Sequence, residues 1–505
     1  MTGQAPRERS PNTATTAGDG AWLRLDPRTI WASTAVVAGG LIAVALPLTI
    51  GLVISGVSTG WIILWTVGGV LLGSAGTAMG EWIRVHITRY RIDDHRIERK
   101  VELWGSSHTA LAAERVRTIE ISADLVQRWF GIAGLRLASG ETDGVRFQLV
   151  ALDRQTAERL RTRLLKTRGS PDTEQLAAWR PGWVRYAPVS ILTPTLGVLG
   201  YGVVLQVADW FNLVPAMLDS VWETVSGIPW PALVAIGVLA GILVGAFATI
   251  VVFIESWWKY ELERHDDGSL ELRRGLLVGR HTSFDGRRIR GVTLHEPPGL
   301  RALRAARLDI IAVGVTSNDE QGGQRQSPAL VPGAPREVPT GVGAAILGAA
   351  WPHALRRHPR AALRRRLSRA GLVTLGIVVL AALPSVLWSV PWWIPPAVTV
   401  AAALLSGWIG VDNARGLGHS CTRSHVVVRK GSLLRRTDVL NQDGLLGWNV
   451  RRSPLQRRAG LATLVATSAG GSGAFRLPDV SVDQAIDLLP TAGTVWAHLA
   501  VSRAD

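Results

Sequence analysis

Three long stretches of this chain lack Lys and Arg altogether: 29–83, 186–258 and 370–414. Together they make up about a third of a sequence that carries 55 Lys+Arg. Each is strongly apolar and rich in Trp. Gaps of this kind exclude ordinary solvated segments and fit paired membrane helices with the basic residues kept on one side. Cysteine is nearly absent. The single Cys421 excludes an internal disulfide and a Cys-based zinc site. Lysine is scarce too. Only Lys100, Lys166, Lys259 and Lys430 occur, so Arg supplies most of the +16 net charge. With abundant Ala and Gly, this composition points to a GC-rich bacterial genome. Residues 1–20 lack the basic-then-apolar run of a cleavable leader and read as a disordered tail of Gly, Pro, Ser, Thr and Asn.

Reactive motifs are missing as well. The sequence holds no phosphate loop, no HExxH, no Ser nucleophile elbow outside the apolar stretches and no metal-type Cys/His cluster. The expectation is a protein that is not an enzyme and has no cofactor and no metal. His265, His281 and His295 follow no motif spacing and read as surface or turn histidines. The expected membrane helices hold no ionisable residue, which argues against coupled transport. Thr34, Thr193, Gln206 and Thr249 are polar groups within them, so a transporter or channel gated by the soluble domains is the alternative reading.

What is present is a regular alternation of apolar and soluble blocks. A membrane helix needs about 20 apolar residues. The first block predicts two helices, Ile30–Ile54 and Trp61–Met79. The second predicts Tyr186–Ala208 and Trp230–Ile254, separated by a loop with Asp209, Asp219 and Glu223. The third runs from Ala370 to Val411 and turns at Pro391, Pro395 and Pro396. The connecting loops carry no Lys or Arg, whereas Arg24, Arg28, Arg84, Arg89, Arg185, Lys259, Arg364 and Arg415 flank the other ends. Both termini and all soluble blocks are therefore expected in the cytoplasm of a bacterial plasma membrane protein. Trp31, Trp61, Trp82, Trp183, Trp210, Trp230, Trp257, Trp258, Trp392 and Trp393 lie near predicted helix ends, where indole favours the interface. Gly237, Gly241 and Gly245 line one helix face, as do Gly69 and Gly73, and predict close helix packing.

The soluble blocks repeat one another. Laying 97–137 over 270–310 and over 426–466 needs no gap, and apolar positions then coincide. The columns are Ile97, Leu270 and Val426; Leu111, Phe284 and Leu440; Val116, Ile289 and Leu445; Ile119, Val292 and Trp448; Leu135, Leu308 and Leu464. Lys100, Arg273 and Arg429 share a column, and His108-Thr109 meets His281-Thr282. Within a copy the pattern is short β-branched runs ended by turn residues, then a helix. Thr156–Leu165 and Asp479–Leu489 are the predicted closing helices.

This order resembles the bacterial PH-like domain: apolar strand, Gly, apolar strand, Arg-rich strand, then a Leu-rich segment. Three such units with six helices resemble the YdbS/YdbT-type membrane proteins, in particular the long three-domain YdbT-like member. Arg24-Leu25-Asp26-Pro27 is similar to the Arg-Leu-x-Pro start common there. Departures are Glu102 where the other copies have Gly275 and Gly431, Gly444 and Gly447 in place of Arg115 and Thr118, and a polar stretch at 317–341. The resemblance implies protein or lipid binding and a smaller single-PH-domain companion.

The expected fold is membrane α plus β. Six transmembrane helices form three hairpins, each followed by a cytoplasmic PH-like small β-barrel or sandwich with a C-terminal helix. The division is tail 1–20, hairpin 21–83, domain 84–170, hairpin 186–258, domain 259–355 with insertion 317–341, basic segment 356–369, hairpin 370–414 and domain 415–505. The expected function is a non-enzymatic scaffold that binds proteins or lipids at the membrane face, through a protein partner or self-association. Anionic headgroups are assigned to Arg356, Arg357, Arg360, Arg364, Arg365, Arg366 and Arg369, next to the fifth helix. A second basic run, Arg154, Arg159, Arg161, Arg163, Lys166 and Arg168, reads the same way. Nucleic acid is not expected, because the basic residues sit at membrane flanks without interleaved aromatics.

Overall fold

The computed structural model describes residues 22–488 apart from 55–57, 94–95, 103–105, 113–115, 140–145, 154, 157–172, 191, 212, 216–226, 314–327, 388–392 and 423. Residues 1–20, the predicted helix Thr156–Leu165 beyond its first residue, and the second basic run therefore lie outside the described residues.

In the first copy, β1 (Leu23–Arg24) leads into α1 (Arg28–Ile54) and α2 (Thr59–Ile87). The strands β2 (Thr88–Ile92), β3 (Arg96–Glu102) and β4 (Ser106–Ala112) follow, then β5 (Val116–Ala123). A short helix α3 (Leu125–Trp129) comes next, then β6 (Ile132–Ser139) and β7 (Arg146–Asp153). β1 pairs with β2, so the first sheet runs β1-β2-β3-β4. The helix pair is therefore inserted between the first two strands of its domain. The sequence division placed each hairpin ahead of its domain; the pairing adds a strand of the same sheet before the hairpin. A two-residue strand is too short to leave a readable alternation, and its partner lies across the whole helix pair.

The second copy repeats the plan. β8 (Thr173–Ala178) precedes a 3-10 segment, Pro181–Val189, and the helices α4 (Leu192–Trp210) and α5 (Trp230–Trp257). Then come β9 (Glu261–His265), β10 (Leu270–Arg274), β11 (Gly279–Phe284) and β12 (Ile289–His295). α6 (Pro298–Ala302), β13 (Ala305–Ala312), β14 (Ala329–Pro335) and α7 (Glu337–Leu347) complete it. Of the stretch 317–341 read as an insertion, 317–327 lies outside the described residues, and the rest forms β14 and the start of α7. Leu330 and Val331 are wholly buried, because this edge strand closes the domain core despite its prolines.

In the third copy the first strand shrinks to one bridge, Arg356 to His419. α8 (Arg360–Leu387) and α9 (Ile394–Arg415) are followed by β15 (Gly418–Cys421), β16 (His425–Lys430), β17 (Arg436–Asn441) and β18 (Leu445–Arg451). α10 (Pro454–Arg458), β19 (Leu461–Ser468), β20 (Ala474–Ser481) and α11 (Val482–Asp487) end the described chain. The predicted helix Asp479–Leu489 starts later than expected. Ser481 caps it through the Gln484 backbone amide, while Gln484 reaches back, and β20 takes the residues before it.

The copies share sheets. One seven-stranded sheet runs β7-β6-β5-β11-β10-β9-β8, and a six-stranded sheet runs β14-β13-β12-β17-β16-β15. The last half-sheet of each copy thus pairs with the first half-sheet of the next. β18, β19 and β20 form a separate three-stranded sheet. The cores fuse accordingly. Val427 and Val439 of the third copy join the second copy's cluster, and Ile311 joins Leu440, Ala466 and Phe475. The repeat columns explain this packing. Ile97, Leu270 and Val426 are each about 1% exposed, and Leu135, Leu308 and Leu464 are equally buried. Each copy also carries the same β-bulge, at Val116/Thr118, Ile289/Gly291 and Leu445/Gly447.

Among the described residues, four helices are long and apolar enough to cross a membrane, over Arg28–Ile50, Gly60–Ile87, Pro231–Trp257 and Ile394–Arg415. The bent pair Pro181–Val189 and Leu192–Trp210 makes a fifth if taken as one span. Six were expected; among the described residues length and composition support four to five. α1 packs along α2, α4 along α5 and α8 along α9. Leu72, Val198, Phe247, Leu372 and Leu404 stand open on these helices, a distribution that apolar solvent stabilises and water does not.

Candidate membrane-face interface

The arginines of 356–369 divide by what they touch. Arg356 is exposed and reaches Asp487 at 3.1 Å, while its backbone bridges His419. The Arg357 carbonyl accepts from Gln484 Nε2 at 2.9 Å. Arg365 and Arg366 turn inward onto Asp479, whose side chain is 1% exposed. Arg360, Arg364 and Arg369 remain exposed where α8 leaves the domain. The sequence grouped all seven by proximity along the chain. The helix turns two of them into the domain, and an acid more than a hundred residues away holds them there.

Asp479 organises this junction. It accepts from Arg366 Nη2 at 3.3 Å, from Gln456 Nε2 at 3.0 Å and from Arg365 Nη1. Its backbone sits at φ 63, a left-handed conformation that Asp tolerates better than most residues. Its carbonyl accepts from His358 Nδ1 at 3.1 Å, so that nitrogen carries the proton. His358 Nε2 then accepts from His419 Nδ1 at 3.2 Å. This neutral relay has no place for a further proton on His358.

Burial, then the adjacent His419, pushes His358 down to about 4, with Arg366 adding to the shift and Asp479 opposing it. Burial lowers His419 too. The folded value lies below the ordinary 6.5, so the unfolded chain binds the proton first as pH falls. Stability from this pair is complete above about pH 7 and declines through the window from about 6.5 to 4. The expected loss is on the order of 2–3 kcal/mol. Melting of the detergent-extracted protein at pH 7.5 and pH 4.5 measures it. His358→Asn should shrink the difference, and an unchanged pH slope would refute the assignment.

Asp412, near the end of α9, ties two copies together. Arg301 of the second copy binds it through two nitrogens at 3.1 and 3.0 Å. Arg435 and Ser432 of the third copy donate to it at 2.8 and 2.5 Å. Arg301 also donates to the Ser432 carbonyl at 3.3 Å. The same contact occurs one junction earlier, where Arg128 donates to the Leu276 carbonyl at 3.2 Å. Arg128, Arg301 and Arg457 occupy one column of the repeat. The repeat of Arg at these three positions is itself the signal in the sequence for this contact. Asp412 and Asp479 had no such signal, because neither recurs.

The site is therefore the base of three fused β units, each gripping a helix pair. A family model described as bacterial PH domain matches residues 34–168, 203–339 and 369–492. The chain belongs to the bacterial PH domain family. No curated protein and no solved structure matches it. Each matched stretch begins inside the first helix of a pair and takes in the second helix and the strands after it.

In the second bacterial PH domain, His265 and His281 are strand residues that meet on Glu271, itself 6% exposed and also bound by Arg273 at 2.6 Å. His295 pairs with Asp309 at 3.1 Å. These three histidines are half-buried strand residues in contact with carboxylates, where the sequence reading took them as surface or turn residues. The overlay could not place an acid beside them, since Glu271 and His281 meet only through the pairing of β10 with β11. The shared basic column has dissimilar roles: Lys100 meets Glu102, Arg273 meets Glu271, and Arg429 donates to the Gly416 carbonyl.

Among the helix glycines, a Cβ on Gly245 would lie 2.0 Å from the Thr193 carbonyl, and one on Gly241 would lie 2.9 Å from the Tyr201 ring. Gly237 has open space at its Cα and contributes its carbonyl to the Tyr201 hydroxyl at 2.5 Å. A Cβ on Gly73 would meet Leu41, while Gly69 is open. Thr193 and Thr249 are buried and satisfied by backbone carbonyls and by each other at 3.4 Å. Trp31, Trp61, Trp82 and Trp393 are exposed, as an interfacial belt requires. Trp183 and Trp257 instead pack on Tyr260 in the second domain's core, so the helix ends there plug the β unit. Arg274 lies 4.3 Å over the Trp257 ring.

Proposed function

We propose that this chain is a non-enzymatic membrane scaffold of bacterial PH domains. Six helices in three hairpins hold three cytoplasmic domains against the inner leaflet of the plasma membrane. Exposed Arg360, Arg364 and Arg369 engage anionic headgroups, and the domains present a surface to a protein partner. One observation carries this reading: neighbouring domains share sheets, which joins them into a single platform. A platform built on paired helices is suited to positioning partners. The sequence also lacks the motifs of the common catalytic classes.

Native mass spectrometry of the detergent-extracted protein, titrated with short-chain anionic and zwitterionic lipids, tests the lipid half. The wild-type chain should prefer the anionic lipid. At about 1 kcal/mol per basic residue, R360S/R364S/R369S should weaken that binding by up to about 100-fold. Capture from cross-linked membranes tests the protein half. A chain that shows no lipid preference and captures no partner would overturn the proposal.

A further inference from the structure

The two junctions between copies are the same contact made twice. β5 pairs with β11 antiparallel, with Thr118 opposite Phe284 and Ala123 opposite Gly279. β12 pairs with β17 antiparallel, with Gly291 opposite Leu440 and His295 opposite Arg436. In the repeat overlay these are identical columns in identical register. Each junction sets a Thr against an acid: Thr282 opposite Glu120, and Thr293 opposite Asp438 with a 2.9 Å hydrogen bond. Each also has the arginine contact, from Arg128 or Arg301, described above.

A chain of three copies built this way ends on two complementary edges. β4 is the first copy's counterpart of β11 and β17, and β18 is the third copy's counterpart of β5 and β12. Both are edge strands, and among the described residues nothing pairs with their outer sides. Ser106, Ser107, His108 and Ala110 are exposed, where β17 is buried at four consecutive positions. On β18, Leu446 is 74% exposed, and Asn449 and Arg451 are open. Arg457, the third member of the arginine column, is exposed as well.

These edges lack the protection that lone edges carry. Charged residues and prolines normally blunt an edge strand. The outer strands β14 and β20 carry Pro332, Pro335 and Pro478. β4 reads Ser-Ser-His-Thr-Ala-Leu-Ala, without Lys, Arg, acid or Pro, and β18 is uncharged until its final Arg451. Continuing the register of both junctions sets Gly447 opposite Leu111, Trp448 opposite Ala110, Asn449 opposite Thr109 and Val450 opposite His108. A Thr would again face a hydrogen-bonding partner, and the bulge glycine would again face the apolar column.

We propose that β18 of one chain pairs with β4 of a second copy of the same chain, in that register, so that copies assemble head to tail. Because the two edges differ, the contact is heterologous. It closes into a ring or runs on, according to the rotation per step. The occupant is a second copy because both halves of the repeated junction stand on this one chain.

The test uses full-length protein in membranes with Cys421→Ser. Thr109→Cys with Asn449→Cys, and separately His108→Cys with Val450→Cys, place thiols on neighbouring pairs of the antiparallel ladder. One of these pairs is the close, non-hydrogen-bonded kind. Oxidation should give a ladder of cross-linked species from at least one double variant, and none from the single variants. Co-expressing the two single variants should stop at a cross-linked pair. Native mass spectrometry of the unmodified chain should give multiples of 54.3 kDa. Only monomers in both measurements would overturn the proposal. So would equal cross-linking of the single variants, which means a two-fold contact, or a cross-linked partner of different mass, which means another protein fills the edge.

Discussion

Alanine in place of Asp479 should destabilise the third domain by about 3–5 kcal/mol, the usual cost of removing one partner from a buried ion pair. The acid is 1% exposed and faces Arg365 and Arg366, whose side chains are 15% and 9% exposed. Without it two guanidinium groups stay buried with no countercharge. Gln456 also loses one of its two acceptors, keeping only Thr463 Oγ1, and Gln456 belongs to the capping box of α10. Ala carries a further penalty of about 1–2 kcal/mol at φ 63. Asp479→Asn separates these effects. It keeps the left-handed tolerance and an acceptor for Gln456 while removing the charge. Unfolding of the detergent-extracted protein should rank wild type above Asp479→Asn above Asp479→Ala. If Asp479→Ala melts within a degree or two of wild type, the anchoring role is wrong. A loosened anchor would also free α8 from the domain, so the α8–domain junction should become sensitive to protease.

Valine at Gly291 should break the junction between the second and third copies, at about 3 kcal/mol. A Cβ there would lie 2.0 Å from the Val439 carbonyl and 3.0 Å from the Leu440 Cα. Both are backbone atoms in the paired strand and cannot swing aside. The bulge itself does not demand glycine, because Thr118 holds this column in the first copy. The close approach of Val439 does. Gly447 supplies the control, since its nearest neighbour would be Thr467 Oγ1 at 3.6 Å. Gly447→Val should therefore leave the monomer fold intact. Hydrogen exchange in the peptide covering β17 reads the result. Gly291→Val should speed it by about 100-fold, and Gly447→Val should not. Equal exchange in both variants would mean that β12 and β17 are held by something other than this pairing.

Much of the fold is legible in the order of residues. The gaps in Lys and Arg marked apolar helices, because charge is expensive in lipid and the pattern needs no tertiary knowledge. The repeat columns marked the cores, because residues such as Leu135, Leu308 and Leu464 must be apolar in every copy. The glycines Gly241 and Gly245 could be named, although only the packed helices distinguish them from Gly237. The candidate site was less legible. Seven arginines in one segment look alike in sequence, yet Arg365 and Arg366 are claimed by an acid that the chain reaches only after a whole domain. The histidines on Glu271 and the Trp183–Tyr260 contact were hidden for the same reason.

The sequence by itself determined that this chain alternates apolar helices with three related β units, since hydropathy and repetition are properties of residue order. Only the tertiary structure decided where one unit ends and the next begins. Strand edges are made of backbone groups that every residue carries, so the order of residues does not reveal which edge meets which. Those backbone pairings put the helix pairs inside the domains, fused three domains through two equivalent junctions, and left β4 and β18 as matching ends.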